Sequence, residues 1–177
     1  MFGQGLQSGG MTFQRLNLPI ELRPETPAEA GFVDRLTRDQ LREAMGGLDA
    51  GPLLEMQLRS RAAMLEQGFP DLRRRVVWAT AAPAGSLLTG ERDGALHVVE
   101  IQIAPDRRRQ GLAAAVLAQV AAEAAAEARD VTAHIFITNA ASLALFAGAG
   151  FTLSTEPGAA QTLARLRTDI NVRSDMA

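Results

Sequence analysis

Apolar and polar residues alternate from Leu18 to Arg23, with Leu18, Ile20 and Leu22 set against Pro19, Glu21 and Arg23. A period of two predicts a first strand with one buried face, and Pro19 suits its start. Thr26-Pro27-Ala28-Glu29 then reads as a helix start. Thr26 can cap, Pro occupies the first helical position, and Glu29 stands three residues past the cap. That helix is predicted to reach Arg38, with Leu41 to Met45 as an extension and Gly46-Gly47 as the stop. Pro52 opens a second amphipathic helix carrying Leu54, Leu58, Met64 and Leu65, and Gly68 closes it.

Beyond Pro70 the texture changes to strands. Arg75 to Thr80 and Ser86 to Thr89 read as the arms of a hairpin around a turn at Ala82-Pro83-Ala84-Gly85. A second turn, Glu91 to Gly94, leads into a long strand from Ala95 to Ala104. Strict alternation there puts His97, Val99, Ile101 and Ile103 on one face, with Val98, Glu100, Gln102 and Ala104 on the other. A helix from Gly111 to Arg129 follows, then a strand from Val131 to Ile137 and a short helix from Ala140 to Ala147. Two strands, Phe151 to Ser154 and Gln161 to Leu166, complete the order β-α-α-β-β-β-α-β-α-β-β, an α/β (α+β) pattern without an internal repeat or linker.

At 177 residues the chain suits one domain, expected over residues 18–170 after a flexible leader at 1–17 and before a tail at 171–177. A composition of 47% hydrophobic and 21% charged residues is that of a folded globular protein. Met1 to Gly10 has neither the basic start nor the apolar run of a signal peptide. The Ala-rich stretch Leu112 to Ala128 is interrupted by Gln119, Glu123 and Glu127, so no membrane span is expected and a cytoplasmic location is. A net charge of -2 offers no uniform positive field for nucleic acid.

Three missing residue types narrow the chemistry further. The chain has no Cys, no Tyr and no Lys, so all 18 basic residues are Arg. Disulfides, thiolate metal sites, a Cys nucleophile and a lysine Schiff base are thereby excluded, and with two His no metal site is expected. Covalent catalysis is largely ruled out.

The informative stretch is Ile103-Ala104-Pro105-Asp106-Arg107-Arg108-Arg109-Gln110-Gly111-Leu112-Ala113, a strand that turns and opens a long helix. The free N–H groups of a helix's first turn bind anions, and the small Gly111 and Ala113 let a bulky pyrophosphate approach the main chain beside three arginines. Neither a dinucleotide fingerprint nor a Walker-type phosphate loop is present, so a different phosphate ligand is implied.

These residues resemble the GNAT superfamily of acyl-CoA-dependent N-acyltransferases. The family signature Arg/Gln-x-x-Gly-x-Gly/Ala is met by Arg108-Arg109-Gln110-Gly111-Leu112-Ala113, after a strand ending in Ile103-Ala104-Pro105. A second family element, an Asn after the next strand followed by a short helix and Gly-Phe, is met by Asn139-Ala140-Ala141-Ser142 through Phe146 to Gly150-Phe151. The opening Ile20-Glu21-Leu22-Arg23-Pro24-Glu25-Thr26 is similar to the first strand of many such proteins.

The resemblance implies a mixed, twisted, splayed sheet of about seven strands flanked by about four helices. It also implies acetyl-CoA as cosubstrate, an amine acceptor that is a small molecule or a protein, and direct transfer in a ternary complex. Main-chain groups of Ile101, Gln102 and Ile103 would pair with the pantetheine like an added strand, and amides from Arg109 through Gln110, Gly111, Leu112 and Ala113 to Ala114 would cradle the pyrophosphate. Arg108 belongs to the same loop, and Asn139 and Ser142 would bond the pantetheine or nucleotide end. Glu100, a charge in an apolar strand, is the candidate general base. Where the family often places a Tyr as leaving-group acid, this chain has Phe146, so the thiolate would leave unassisted or with water. Phe146 also supports a second reading, a CoA-binding or protein-interaction module without turnover. Homodimers are common on such folds, and the C-terminal strands are suited to pairing across a two-fold.

Overall fold

A hydrogen-bonded sheet of seven strands runs through the molecule in the order β1-β2-β3-β4-β5-β7-β6. The strands are β1 (Ile20–Pro24), β2 (Arg73–Ala79), β3 (Ala82–Arg92), β4 (Ala95–Ile103), β5 (Val131–Phe136), β6 (Thr152–Ser154) and β7 (Gln161–Leu166). The helices are α1 (Pro27–Ala44), α2 (Gly51–Gly68), α3 (Leu112–Ala126) and α4 (Ala140–Gly148), with a 3-10 turn at Pro105–Arg107. This is a computed structural model describing residues 19–47 and 51–168. Leu18, the expected leader at 1–17 and the expected tail at 171–177 lie outside the described residues.

The expected element order is the observed one, and the differences are local. α1 is continuous to Ala44, started by the capping box in which Thr26 accepts from the Ala28 amide and Glu29 accepts from the Thr26 amide. The first hairpin turns at Thr80-Ala81, with φ of 53° and 64°, and not at Ala82–Gly85 as expected. Positive φ at both central residues gives the turn the twist of the strands it joins. Ala82 and Pro83 belong to β3, where they face Ala79 and Trp78, and the register slips so that Ala84 is an extra residue. That bulge is what lets a proline sit inside the strand. The second hairpin turns at Asp93-Gly94, within the expected segment.

A second bulge has more consequence for function. Leu88 faces Glu100 but Thr89 faces Val98, leaving Val99 as an extra residue in β4. Strict alternation is therefore corrected. Leu96 and Val98 before the bulge and Ile101 after it all pack into the core shared with Val116, Leu117 and Val120 of α3. His97, Glu100 and Gln102 share the opposite face, where they meet Phe69, Arg61 of α2 and Thr37 of α1. Beside the bulges β3 and β4 close in on each other: a Cβ on Gly85 would stand 2.3 Å from the Gln102 carbonyl oxygen, so only glycine fits.

Every strand pairing is antiparallel except β4 with β5, the pair joined through α3. That pairing spans only Leu96–Val131 and His97–Thr132. β5 meanwhile keeps all six of its residues paired with β7. Past His97 the two halves of the sheet diverge, and a wedge opens toward the carboxyl ends of both strands.

Candidate functional site

Both chain segments leaving the wedge end in helix N-termini. β4 passes through Ala104, the 3-10 turn and residues 108–111 into α3, and β5 passes through Ile137 and Thr138 to Asn139 at the start of α4. In open sheets, ligands bind in the crevice outside the carboxyl ends of strands, where helix N-termini meet.

The α3 entrance is shaped by two left-handed residues, Arg109 at φ 64° and Gly111 at φ 78°. Gly111 is the helix cap and supplies no side chain, so no side-chain oxygen covers the first-turn amides of α3. α3 itself begins at Leu112, which places Leu112, Ala113 and Ala114 in that first turn. Leu112 is buried, and Ala114 is exposed.

The three arginines of this loop separate in role. Arg108 donates to the Ile103 carbonyl at 3.1 Å and to both carboxylate oxygens of Glu43 on α1 at 3.2 Å, tying the loop to that helix. Arg107 approaches Asp106 only to 3.9 Å. Arg109 is exposed and has no ion-pair partner within 4.0 Å among the described residues. Gln110 donates to the Asp106 carbonyl at 3.3 Å. Across the wedge, the Asn139 side chain accepts from the Ser142 amide at 3.0 Å and so caps α4. Phe146 is buried in the core, edge-on to Phe151 with ring centroids 4.9 Å apart.

Glu100 lies on the α1/α2 face of β4 beside the wedge. Its carboxylate pairs with the Arg61 guanidinium, and the two side chains are 19% and 22% exposed. Burial pushes its pKa above the ordinary carboxylate range, opposed by Arg61. Gln102 stands at the centre of a buried amide and hydroxyl network: its carbonyl oxygen accepts from Ser86 at 3.0 Å and Thr37 at 3.5 Å, and its amide donates to Gln40. Ile101 packs toward the α3 core, and Ile103 packs with Ala79, Ala84 and Leu112. Arg61, Thr37, Gln40 and Ser86 carry no sequence signal, because a contact between elements has no spacing to read.

His97 is a buried packing residue. It stacks on Phe69 at 5.4 Å, its Nδ1 is 2.9 Å from the Thr132 hydroxyl, and burial together with Arg92 lowers its pKa to about 4. Unfolded, the imidazole takes up its proton near 6.5. Between these values the unfolded chain binds more protons, so stability present above pH 6.5 is lost as pH falls toward 4. We expect up to about 3 kcal/mol to vanish across that window. Thermal melts from pH 7 to 4 check this: His97→Asn should flatten the slope, and an unaltered slope would assign the acid sensitivity to other groups.

An open groove of about 600 Å³ runs along β5 and β7, lined by His134, Phe136, Gln161, Leu163 and the turn carrying Glu156. The His134 ring is 5.2 Å from that of His97, so the groove opens on the same face as Glu100. No helix of the described residues is long and apolar enough to cross a membrane. Among the described residues, no group of three or more His, Cys, Asp or Glu is placed to hold a metal ion.

Residues 79–157 match the family model described as FR47-like protein. Comparison with curated sequences gives no match. The fold is shared with the PaiA N-acetyltransferase of Thermoplasma acidophilum in complex with coenzyme A, at a TM-score of 0.66, 10% identity and coverage of 85% of this chain and 99% of that one. It is shared with an acetyltransferase of Thermus thermophilus at a TM-score of 0.63 and 21% identity, covering 84% of this chain and 97% of that one. A third similar structure is the spermidine N-acetyltransferase of Vibrio cholerae in complex with CoA and spermine, at a TM-score of 0.58 and 16% identity, covering 82% and 92%. The resemblance read from the Arg108–Ala113 loop thus holds at the level of the fold: seven strands, four helices and the splayed sheet of the GNAT superfamily.

Proposed function

From the premise that this chain has the GNAT fold, we propose that it transfers an acetyl group from acetyl-CoA to a primary amine, with both substrates bound together. The observation that carries the reading is the wedge between β4 and β5 with the uncapped start of α3 at its mouth. The unpaired edge of β4 along Ile101, Gln102 and Ile103 suits an extended pantetheine arm, as an added strand. The amides from Arg109 to Ala114 suit the pyrophosphate, with exposed Arg109 able to reach it, while Arg108 steadies the loop through Glu43. Asn139 retains its amide NH₂ as a donor while its oxygen caps α4, and Ser142 lies one turn on. Phe146 packs on Phe151 in the core beneath α4.

In this reading Glu100, directly or through water, takes one proton from the incoming ammonium. The freed nitrogen bonds the acetyl carbonyl carbon, the carbon–sulfur bond breaks, and the second amine proton leaves with the thiolate as thiol. A β4 main-chain N–H beside the Val99 bulge would polarise the carbonyl. Phe146 has no proton to give, which is the observation favouring a binding module without turnover.

Calorimetric titration tests the cofactor side. Acetyl-CoA should bind, and pantetheine, which lacks the nucleotide and pyrophosphate, should bind at least about tenfold more weakly, the worth of one charge-assisted hydrogen bond. Equal affinities would remove the loop from the site, and no binding of either would end the transferase reading. Binding without thiol release from any amine would favour the silent module.

A further inference from the structure

Arg61 and Glu100 form a largely buried ion pair across the face on which an acceptor amine would meet Glu100. Arg61 holds the Oε2 oxygen of that carboxylate, so an ammonium that takes this oxygen must displace the guanidinium. If the acceptor brings positive charge alone, Arg61 is left without a partner, and stranding one member of a buried pair is strongly unfavourable. If the acceptor also carries an anion, two pairs replace one: ammonium on Glu100 and anion on Arg61. The net charge of the site is then unchanged.

A second cation strengthens the argument. Arg74 of β2 faces Leu88 of β3, which faces Glu100 of β4, so the three side chains lie in one row on one face of the sheet. Arg74 has no ion-pair partner within 4.0 Å among the described residues, and its charge acts on Glu100. The other groups packed around Glu100 are neutral, namely Gln102 with Thr37, Gln40 and Ser86. Glu156, at the neighbouring groove, is exposed. Two guanidiniums therefore face one carboxylate, a balance that repels a polycation and gives the carboxylate of an acceptor a second cation to meet. A guanidinium fork matches a carboxylate in both shape and charge.

Resting on the transfer reading above, we infer that the acceptor is an amine that carries its own carboxylate, as an amino acid does, and that it enters by exchanging ion pairs with Arg61 and Glu100. The test uses saturating acetyl-CoA, thiol release as the readout, and matched triplets: leucine, leucinamide and isoamylamine, then the same series for phenylalanine, with spermine as a polycation. The acid should exceed its amide and its decarboxylated amine in kcat/KM by about tenfold or more. Arg61→Gln should raise the KM for the acid by a similar factor and narrow its advantage over the amide, with acetyl-CoA affinity unaltered as the sign of an intact fold. A preference for isoamylamine or spermine, acceptance of all compounds alike, or turnover of none by a protein that binds acetyl-CoA would overturn the inference. Failure to bind acetyl-CoA would instead bring down the transferase reading itself.

Discussion

Replacing Glu100 by Gln is expected to lower kcat with an accepted amine by roughly 100- to 10,000-fold, the usual worth of a positioned general base. Acetyl-CoA affinity should be preserved, because Glu100 lies on the α1/α2 face and the loop entering α3 is untouched. The substitution keeps the size and shape of the side chain and removes only its charge. Arg61 then loses its charged partner, and a thermal melt of the variant reports what stranding it costs the fold. The pH profile gives a second readout. Burial holds the Glu100 pKa above the ordinary carboxylate range, so kcat/KM of the wild type should climb through an acid limb displaced upward. In Glu100→Gln that limb should disappear. Turnover within a few-fold of wild type would take Glu100 out of the chemistry.

The second large effect is expected on the cofactor side. Gly111 has φ of 78°, in the left-handed region, where a β-branched side chain costs about 1–2 kcal/mol. Gly111→Val should therefore pull the residue out of this conformation and swing the Leu112 and Ala113 amides off their common direction. A charge-assisted hydrogen bond contributes about 1.5–3 kcal/mol, so losing one should weaken acetyl-CoA binding roughly 10- to 100-fold. Pantetheine, having no pyrophosphate, should lose little. Calorimetry on both ligands checks this, with a thermal melt to confirm the fold. An unchanged Kd for acetyl-CoA would mean that the pyrophosphate is held elsewhere.

Where a feature is written into consecutive residues, the sequence predicted it well. Thr26-Pro27-Ala28-Glu29 forms its capping box, Asp93-Gly94 turns its hairpin, and the short helix opens at Ala140 as expected, since each depends on groups within three residues. Residues 103–113 were legible for the same reason: a turn, a glycine and a helix start follow one another in the chain. The failures share another cause. Thr80-Ala81 carries no turn residues, and its left-handed pair is held by the register of β2 on β3. Val99 bulges although neither Gly nor Pro marks it, because the mismatch arises between two strands. That single extra residue moved His97 onto the Glu100 face. The partner of Glu100 was out of reach too, since Arg61 comes from a helix 39 residues earlier and nothing in α2 distinguishes it from Arg59.

The choice of arginine beside Glu100 bears on self-modification. In the proposed transfer a side chain there stands next to Glu100 and within the space an acceptor would occupy. A lysine in that place would be a primary amine presented to the thioester, and an enzyme of this kind would spend its own cosubstrate labelling itself. A guanidinium stays protonated and is no nucleophile at neutral pH. With all 18 basic residues arginine, the same immunity extends over the whole surface: no side-chain amine anywhere on the chain can be acetylated, by itself or by another transferase.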